Sequence, residues 1–155
     1  MRPLSKDLQE FIRLLQAERV EYVIVGAWSL AFHGRPRYTG DLDLFLRRDP
    51  ANADRLMRVI DAFGFGATGI AREDFLKQDY VIQLGVEPNR IDLLTGISGV
   101  EFEEAWRTRQ TGHLGSLEAW FISRDLLIQN KRAANRDKDL GDVRLLEQTR
   151  PEGSP

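Results

Sequence analysis

Residues 80–86 and 90–94 restrict the possible folds more than any other part of the chain. Both read as strands, and only Glu87-Pro88-Asn89 separates them. Parallel neighbours need a crossover of a dozen or more residues, so three residues allow only an antiparallel hairpin. A purely parallel sheet is thereby excluded. Helical and strand patterns nevertheless intermingle along the rest of the chain. Leu4, Leu8, Phe11, Ile12 and Leu15 recur at helical spacing, with Ser5 as a candidate cap. Residues 20–25 form a β-branched run that breaks at Gly26, and 27–32 read as a short helix ending at Gly34-Arg35-Pro36. Residues 41–46 alternate strictly, as a two-faced strand does. Asp49-Pro50 supplies a cap and a first-turn proline ahead of Leu56, Val59, Ile60 and Phe63, and Gly64 closes that helix. A helix is expected over 100–107, a strand over 117–122, a helix capped by Ser123 through about Ala133, and a last helix over 137–148. His113, between Gly112 and Gly115, reads as a loop residue. The expected class is α/β (α+β), a mixed β-sheet covered by helices.

Length and charge set outer bounds. The 155 residues fit one domain, expected over 1–149, with 150–155 a disordered tail. The chain has no cysteine, which excludes disulfides and thiolate metal sites and permits a reducing compartment, so the expected location is the cytoplasm. No apolar run approaches the ~20 residues of a membrane span, and residues 1–7 lack the apolar core of a signal peptide. A net charge of -2 leaves nucleic-acid contact to local basic patches.

The chemistry concentrates in Asp41-Leu42-Asp43-Leu44-Phe45-Leu46. Leu42, Leu44 and Leu46 share one strand face, and Asp41 and Asp43 share the other. Residues two apart on a strand are separated by roughly 6.6 Å. Two flexible carboxylates at that spacing can converge on one hard cation, or on two ions about 3.5–4 Å apart. The alternative is a solvated strand face carrying two ordinary acids. What precedes the pair favours the first reading. Val23-Ile24-Val25-Gly26-Ala27 is a strand entering a glycine turn and then a helix, an arrangement that lets a phosphate approach the backbone. The basic loop His33-Gly34-Arg35-Pro36-Arg37-Tyr38-Thr39-Gly40 follows directly. Arg90-Ile91-Asp92-Leu93-Leu94 then sets a third carboxylate inside an apolar strand, where an unpartnered acid is costly. Asp92 is either a third ligand or a general base; the alternative is an edge-strand acid paired with Arg90 or another arginine. His33 is either a base- or phosphate-contacting residue or a helix-end histidine satisfied by backbone. Trp28, Trp106 and Trp120 read as packing residues.

These blocks resemble the polymerase-beta-like nucleotidyltransferase superfamily, and within it the bacterial branch of abortive-infection-type nucleotidyltransferase toxins and their small relatives. The resemblance rests on residues 26–34, 37–44, 91–94 and 128–142, and spans roughly 5–148. It implies a nucleotidyltransferase-like fold, with Asp41, Asp43 and Asp92 as catalytic and metal-binding acids for Mg2+ or Mn2+. It further implies phosphate or nucleotide contacts from Gly26, Ala27, Ser29, Arg37 and Thr39. The branch carries a Lys…Lys-Asp-x-x-Asp segment near its C-terminus, which maps onto Lys131, Lys138, Asp139 and Asp142; Lys131 would bind triphosphate, with the other three in support. Asp139 and Asp142 read otherwise as one face of a solvated helix with local ion pairs. The implied reaction moves a nucleoside monophosphate from a nucleoside triphosphate to a hydroxyl of an RNA, protein or small-molecule acceptor, with a cognate antitoxin as a further partner. One departure stands out: many members have Gly-Ser at the turn, where this chain has Gly26-Ala27. That substitution and the short chain support an alternative, a catalytically weak or inactive relative that binds a nucleotide or a protein partner.

Overall fold

The computed structural model describes residues 5–34, 41–64, 69–85 and 89–148. In chain order the elements are α1 (Lys6–Ala17), β1 (Tyr22–Val25), α2 (Gly26–Phe32), β2 (Leu42–Leu46), α3 (Pro50–Phe63), a 3-10 turn (Arg72–Leu76), β3 (Val81–Leu84), β4 (Ile91–Leu94), α4 (Phe102–Arg107), β5 (Gln110–Leu114), β6 (Leu117–Phe121), α5 (Arg124–Ala134) and α6 (Asp137–Gln148). The helix starts follow the capping chemistry of the sequence. Ser5 accepts a hydrogen bond from the Leu8 amide at 3.2 Å, Asp49 from Asn52 at 2.7 Å and Ser123 from Leu126 at 3.3 Å. Gly64 ends α3 at a φ of 102°, the left-handed conformation that favours glycine.

Among the described residues the strands form one six-stranded sheet in the order β3-β4-β2-β1-β6-β5. It is mixed: β1 runs antiparallel to β2 and parallel to β6, β2 runs parallel to β4, and β3–β4 and β5–β6 are antiparallel pairs. The expected 80–94 hairpin is present as β3 and β4; residues 86–88 of its connection lie outside the described residues. So do Leu4, Arg37, Thr39 and the expected tail at 150–155.

Helices cover both faces. On one, Leu8, Phe11, Ile12 and Leu15 of α1 and Leu56, Val59 and Ile60 of α3 join a core with Ile24, Leu42, Leu44, Leu46, Ile91 and Leu93. On the other, Val23, Val25 and Phe45 pack with Ala105 of α4, Leu126 and Leu127 of α5, and Val143 and Leu146 of α6. The face of β2 that carries the acids is therefore not a solvent face along its length: Phe45 is only 2% exposed. Buried Asn52 ties α3 to the sheet, accepting from the Glu21 amide (2.8 Å) and donating to the carbonyls of Glu21 (3.1 Å) and Arg47 (2.9 Å). Among the described residues no helix is long and apolar enough to cross a membrane.

Two elements depart from expectation. Gln110–Leu114 is a strand paired with β6, so His113 is a strand residue and not a loop residue. Gly115-Ser116 between them is a two-residue hairpin turn, with Gly115 at a φ of 63°. Polar side chains at Gln110, Thr111 and His113 on an exposed edge hide the alternation that a half-buried strand displays. The 3-10 turn, which buries Phe75 under α3, is likewise too short to carry a period.

Candidate active site

β1 and β2 run antiparallel with Val25 opposite Asp43, and β2 and β4 run parallel with Asp43 beside Asp92. The turn after β1, the start of β2 and the start of β4 thus meet at one end of the sheet. Alternation puts Asp43 and Asp92 on the face shared with Val25 and Phe45, and Asp41 and Arg90 lie one residue before the two strands, joined by the Leu42 amide donating to the Arg90 carbonyl at 3.0 Å. The convergence of Asp41, Asp43 and Asp92 follows from sheet register.

Gly26 makes this crowding possible. Its φ is 68°, and a Cβ built there would lie 2.2 Å from Oδ2 of Asp43. No side chain fits that position without moving the carboxylate. The close approach anticipated at Gly26 is thus filled, in this structure, by Asp43. Ala27 follows in the first turn of α2, half-buried. Ser29 is fully buried and donates its hydroxyl to the Gly26 carbonyl at 2.7 Å, bracing the turn from inside the helix.

Burial, then the adjacent Asp92 charge and a hydrogen bond with Asp92, push Asp43 up to about 7, against a smaller opposing pull from Arg90. Asp92 is buried at 8% exposure and Asp43 is half-buried. Arg90 supplies the positive charge: its Nη2 donates to Asp41 at 2.8 Å, and its Nε lies 3.1 Å from Asp92. Asp92 does pair with Arg90, but on an interior strand and beside a second acid. Among the described residues no group of three or more histidine, aspartate or glutamate side chains stands arranged to hold a metal ion. The donor chemistry still fits a hard divalent cation. Asp43 and Asp92 stand side by side in the β2–β4 register, and a cation placed between two such carboxylates would relieve their repulsion.

The C-terminal charged segment forms a second cluster. Lys131 on α5 is buried, with Nζ 2.9 Å from Asp142 and 3.6 Å from Asp139 on α6. Burial raises Asp139, but hydrogen bonding from Arg136 at 2.6 Å and the Lys131 charge outweigh it and hold Asp139 below the usual carboxylate range. The segment is a buried clamp between two helices, and neither acid belongs to a solvated face. Lys138 is exposed on α6. His33 is satisfied by backbone, its Nε2 hydrogen-bonding the Ile122 carbonyl at 2.8 Å. Trp106 and Trp120 flank the Arg109 guanidinium, whose central carbon lies 3.7 and 4.8 Å from their ring centroids. Cavities of about 410 Å³ beside Gln129 and Arg132, and about 250 Å³ beside Arg47 and Phe102, include none of the three site aspartates in their lining.

Neither a protein-family model nor a curated protein matches the chain. Solved structures do. A lincosamide antibiotic adenylyltransferase, LnuA, solved with lincomycin bound, superposes with a TM-score of 0.54 at 12% identity, over 95% of this chain and 98% of that one. The fold is nucleotidyltransferase-like. The mixed sheet and its helices carry that likeness, because 12% identity is too low to transfer individual residues.

Within this nucleotidyltransferase-like fold, Asp41, Asp43 and Asp92 converge beside Gly26, whereas Lys131, Asp139 and Asp142 are bonded to one another. Arg37 and Thr39 lie outside the described residues. Arg90 is the site residue that linear patterning undervalues. The readable signal is Arg-x-Asp on a strand, which puts both side chains on one sheet face, but the reach to Asp41 depends on the β2–β4 register.

Proposed function

We propose that this chain transfers a nucleoside monophosphate from a nucleoside triphosphate to an acceptor hydroxyl. The observation that carries the reading is the meeting of Asp41, Asp43 and Asp92 beside the Gly26 turn, on a fold shared with an adenylyltransferase. Asp41, Asp43 and Asp92 would hold Mg2+ or Mn2+. A divalent ion held there would offset the charge that develops on the phosphates. The chain's own residues account for the rest. Gly26 and Ala27 offer the triphosphate a turn backbone once the Asp43 carboxylate moves off Gly26, with Arg37, Thr39 and Lys131 as further candidate contacts. Asp92 accepts the proton of the attacking hydroxyl, whose oxygen bonds to the α-phosphorus as the bond to the β-phosphate oxygen breaks. Pyrophosphate leaves with that electron pair.

The solved adenylyltransferase matches along 98% of its own length, so a catalytic domain of this extent has a precedent and shortness does not weigh against activity. Its bound lincomycin supports a small hydroxylated molecule as acceptor, beside RNA or protein. The toxin role, with an antitoxin as partner, is a narrower proposal supported by the sequence resemblance alone; growth arrest on expression that an Asp41→Asn, Asp43→Asn double change abolishes would support it. A second reading, a nucleotide- or partner-binding protein without transfer activity, is favoured by Ala27 at the turn.

The deciding experiment incubates the protein with each α-labelled triphosphate, Mg2+, and in turn total RNA, a protein extract and a panel of hydroxylated small molecules including lincosamides. Label should appear in one acceptor class and disappear with the Asp41→Asn, Asp43→Asn change. Triphosphate binding without pyrophosphate release under every condition favours the second reading, and no binding of any triphosphate sinks both.

A further inference from the structure

We infer that Arg90 is a tethered counter-cation for the three carboxylates, and that a divalent ion entering the site must take Asp41 and Asp92 from it. This deepens the function proposed above and rests on reading Asp41, Asp43 and Asp92 as the ligand set.

The geometry is specific. Arg90 lies two residues before Asp92 on one strand and beside Asp41 on the next, so its fork spans both acids. Nη2 donates to Asp41 Oδ2 at 2.8 Å and to Asp92 Oδ2 at 3.4 Å, and Nε lies 3.1 Å from Asp92 Oδ1. Asp43 completes the cluster, its carboxylate pressed against Gly26. Three acids on one sheet face repel one another, and a guanidinium fixed to the same face offsets that repulsion without help from solution. The same fixture sets a threshold for metal. An incoming ion gains carboxylate ligands only by breaking a two-acid interaction whose cation cannot diffuse away. A bare divalent ion is at a disadvantage there, whereas an ion that arrives on a triphosphate brings phosphate oxygens of its own and depends less on capturing every carboxylate. Arg90 therefore biases the site against free metal and toward the metal–triphosphate complex. A purely structural arginine would have a different signature: its loss would loosen β2 and β4 and weaken any metal site built on them.

The test is Mn2+ binding without nucleotide, followed by the electron paramagnetic resonance signal of free Mn2+, in wild type, Arg90→Gln and Arg90→Lys. Removing the competing charge should tighten Mn2+ binding by about tenfold or more in Arg90→Gln. Arg90→Lys, which keeps the charge but cannot hold both acids, should fall between. If Arg90→Gln does not fold, the lysine variant carries the comparison with wild type. Equal or weaker Mn2+ affinity in the variants overturns the inference and leaves the carboxylate metal site standing. No Mn2+ binding by any of the three proteins overturns the ligand set itself, and this inference with it.

Discussion

At the scale of single residues, Asp43 and Gly26 constrain each other. Asp43 is raised to about 7, chiefly by burial and then by Asp92. A carboxyl raised above its unfolded value of about 3.9 binds its proton more tightly in the native state, so its contribution is full below about pH 4 and is lost as pH rises toward 7. In metal-free buffer, Asp43→Asn should remove that decline. Its stability should gain on wild type by up to about 1.4 kcal/mol per pH unit between about pH 5 and pH 7. Urea melts across that range check this, and parallel stability profiles for the two proteins would count against a raised Asp43. Gly26 has a φ of 68° and no room for a Cβ against Asp43 Oδ2. Gly26→Ala should cost about 1–2 kcal/mol for the left-handed backbone alone, plus whatever moving the carboxylate requires. Made in an Asp43→Ala background, the same change should cost only the backbone part. A double-mutant cycle with no coupling would show that the two residues do not compete for space.

At the scale of elements, α5 and α6 are joined by a buried ion cluster, with Lys131 between Asp139 and Asp142. Removing one member of a buried pair leaves an uncompensated charge and typically costs about 3–5 kcal/mol. Lys131→Met should therefore lower stability by that amount in the absence of any nucleotide. If Lys131 instead serves the triphosphate, the variant should keep its melting temperature and lose the stabilisation that nucleotide confers. Melts with and without triphosphate separate the two. The sheet shows a comparable dependence on context. Asp41 and Asp43 can be placed on one strand face from alternation, but which end of which neighbour they meet is set by β2 lying between β1 and β4.

At the scale of the whole molecule, ligand and fold are linked by mass action. A ligand that binds only the native state adds RT ln(1 + [L]/Kd), or about 2.7 kcal/mol at a hundredfold excess over Kd. A nucleoside triphosphate should raise the melting temperature when Mg2+ is present and do little when a chelator removes it, because the carboxylate end of the sheet repels a bare triphosphate. Thermal melts with four triphosphates, with and without Mg2+, test this. An equal shift in chelator would break the link between metal and nucleotide.

Much of this molecule is determined locally and is legible without coordinates. Caps at Ser5, Asp49 and Ser123 start their helices, Gly64 ends one, and the short 87–89 connection forces an antiparallel pair, because each rests on the backbone chemistry of neighbouring residues. The Asp-x-Asp face is visible for the same reason: alternation along a strand is a short-range property. Strand order is not local. The pairing of β1 with β6 joins Ile24 to Phe121, and the partnership of Asp43 with Asp92 and the reach of Arg90 to Asp41 each connect residues about fifty positions apart. β5 escaped notice because its exposed edge has no apolar alternation to display. The carboxylates are a sequence property; their mutual distance, their burial and the arginine that holds two of them exist only once the sheet has closed around them.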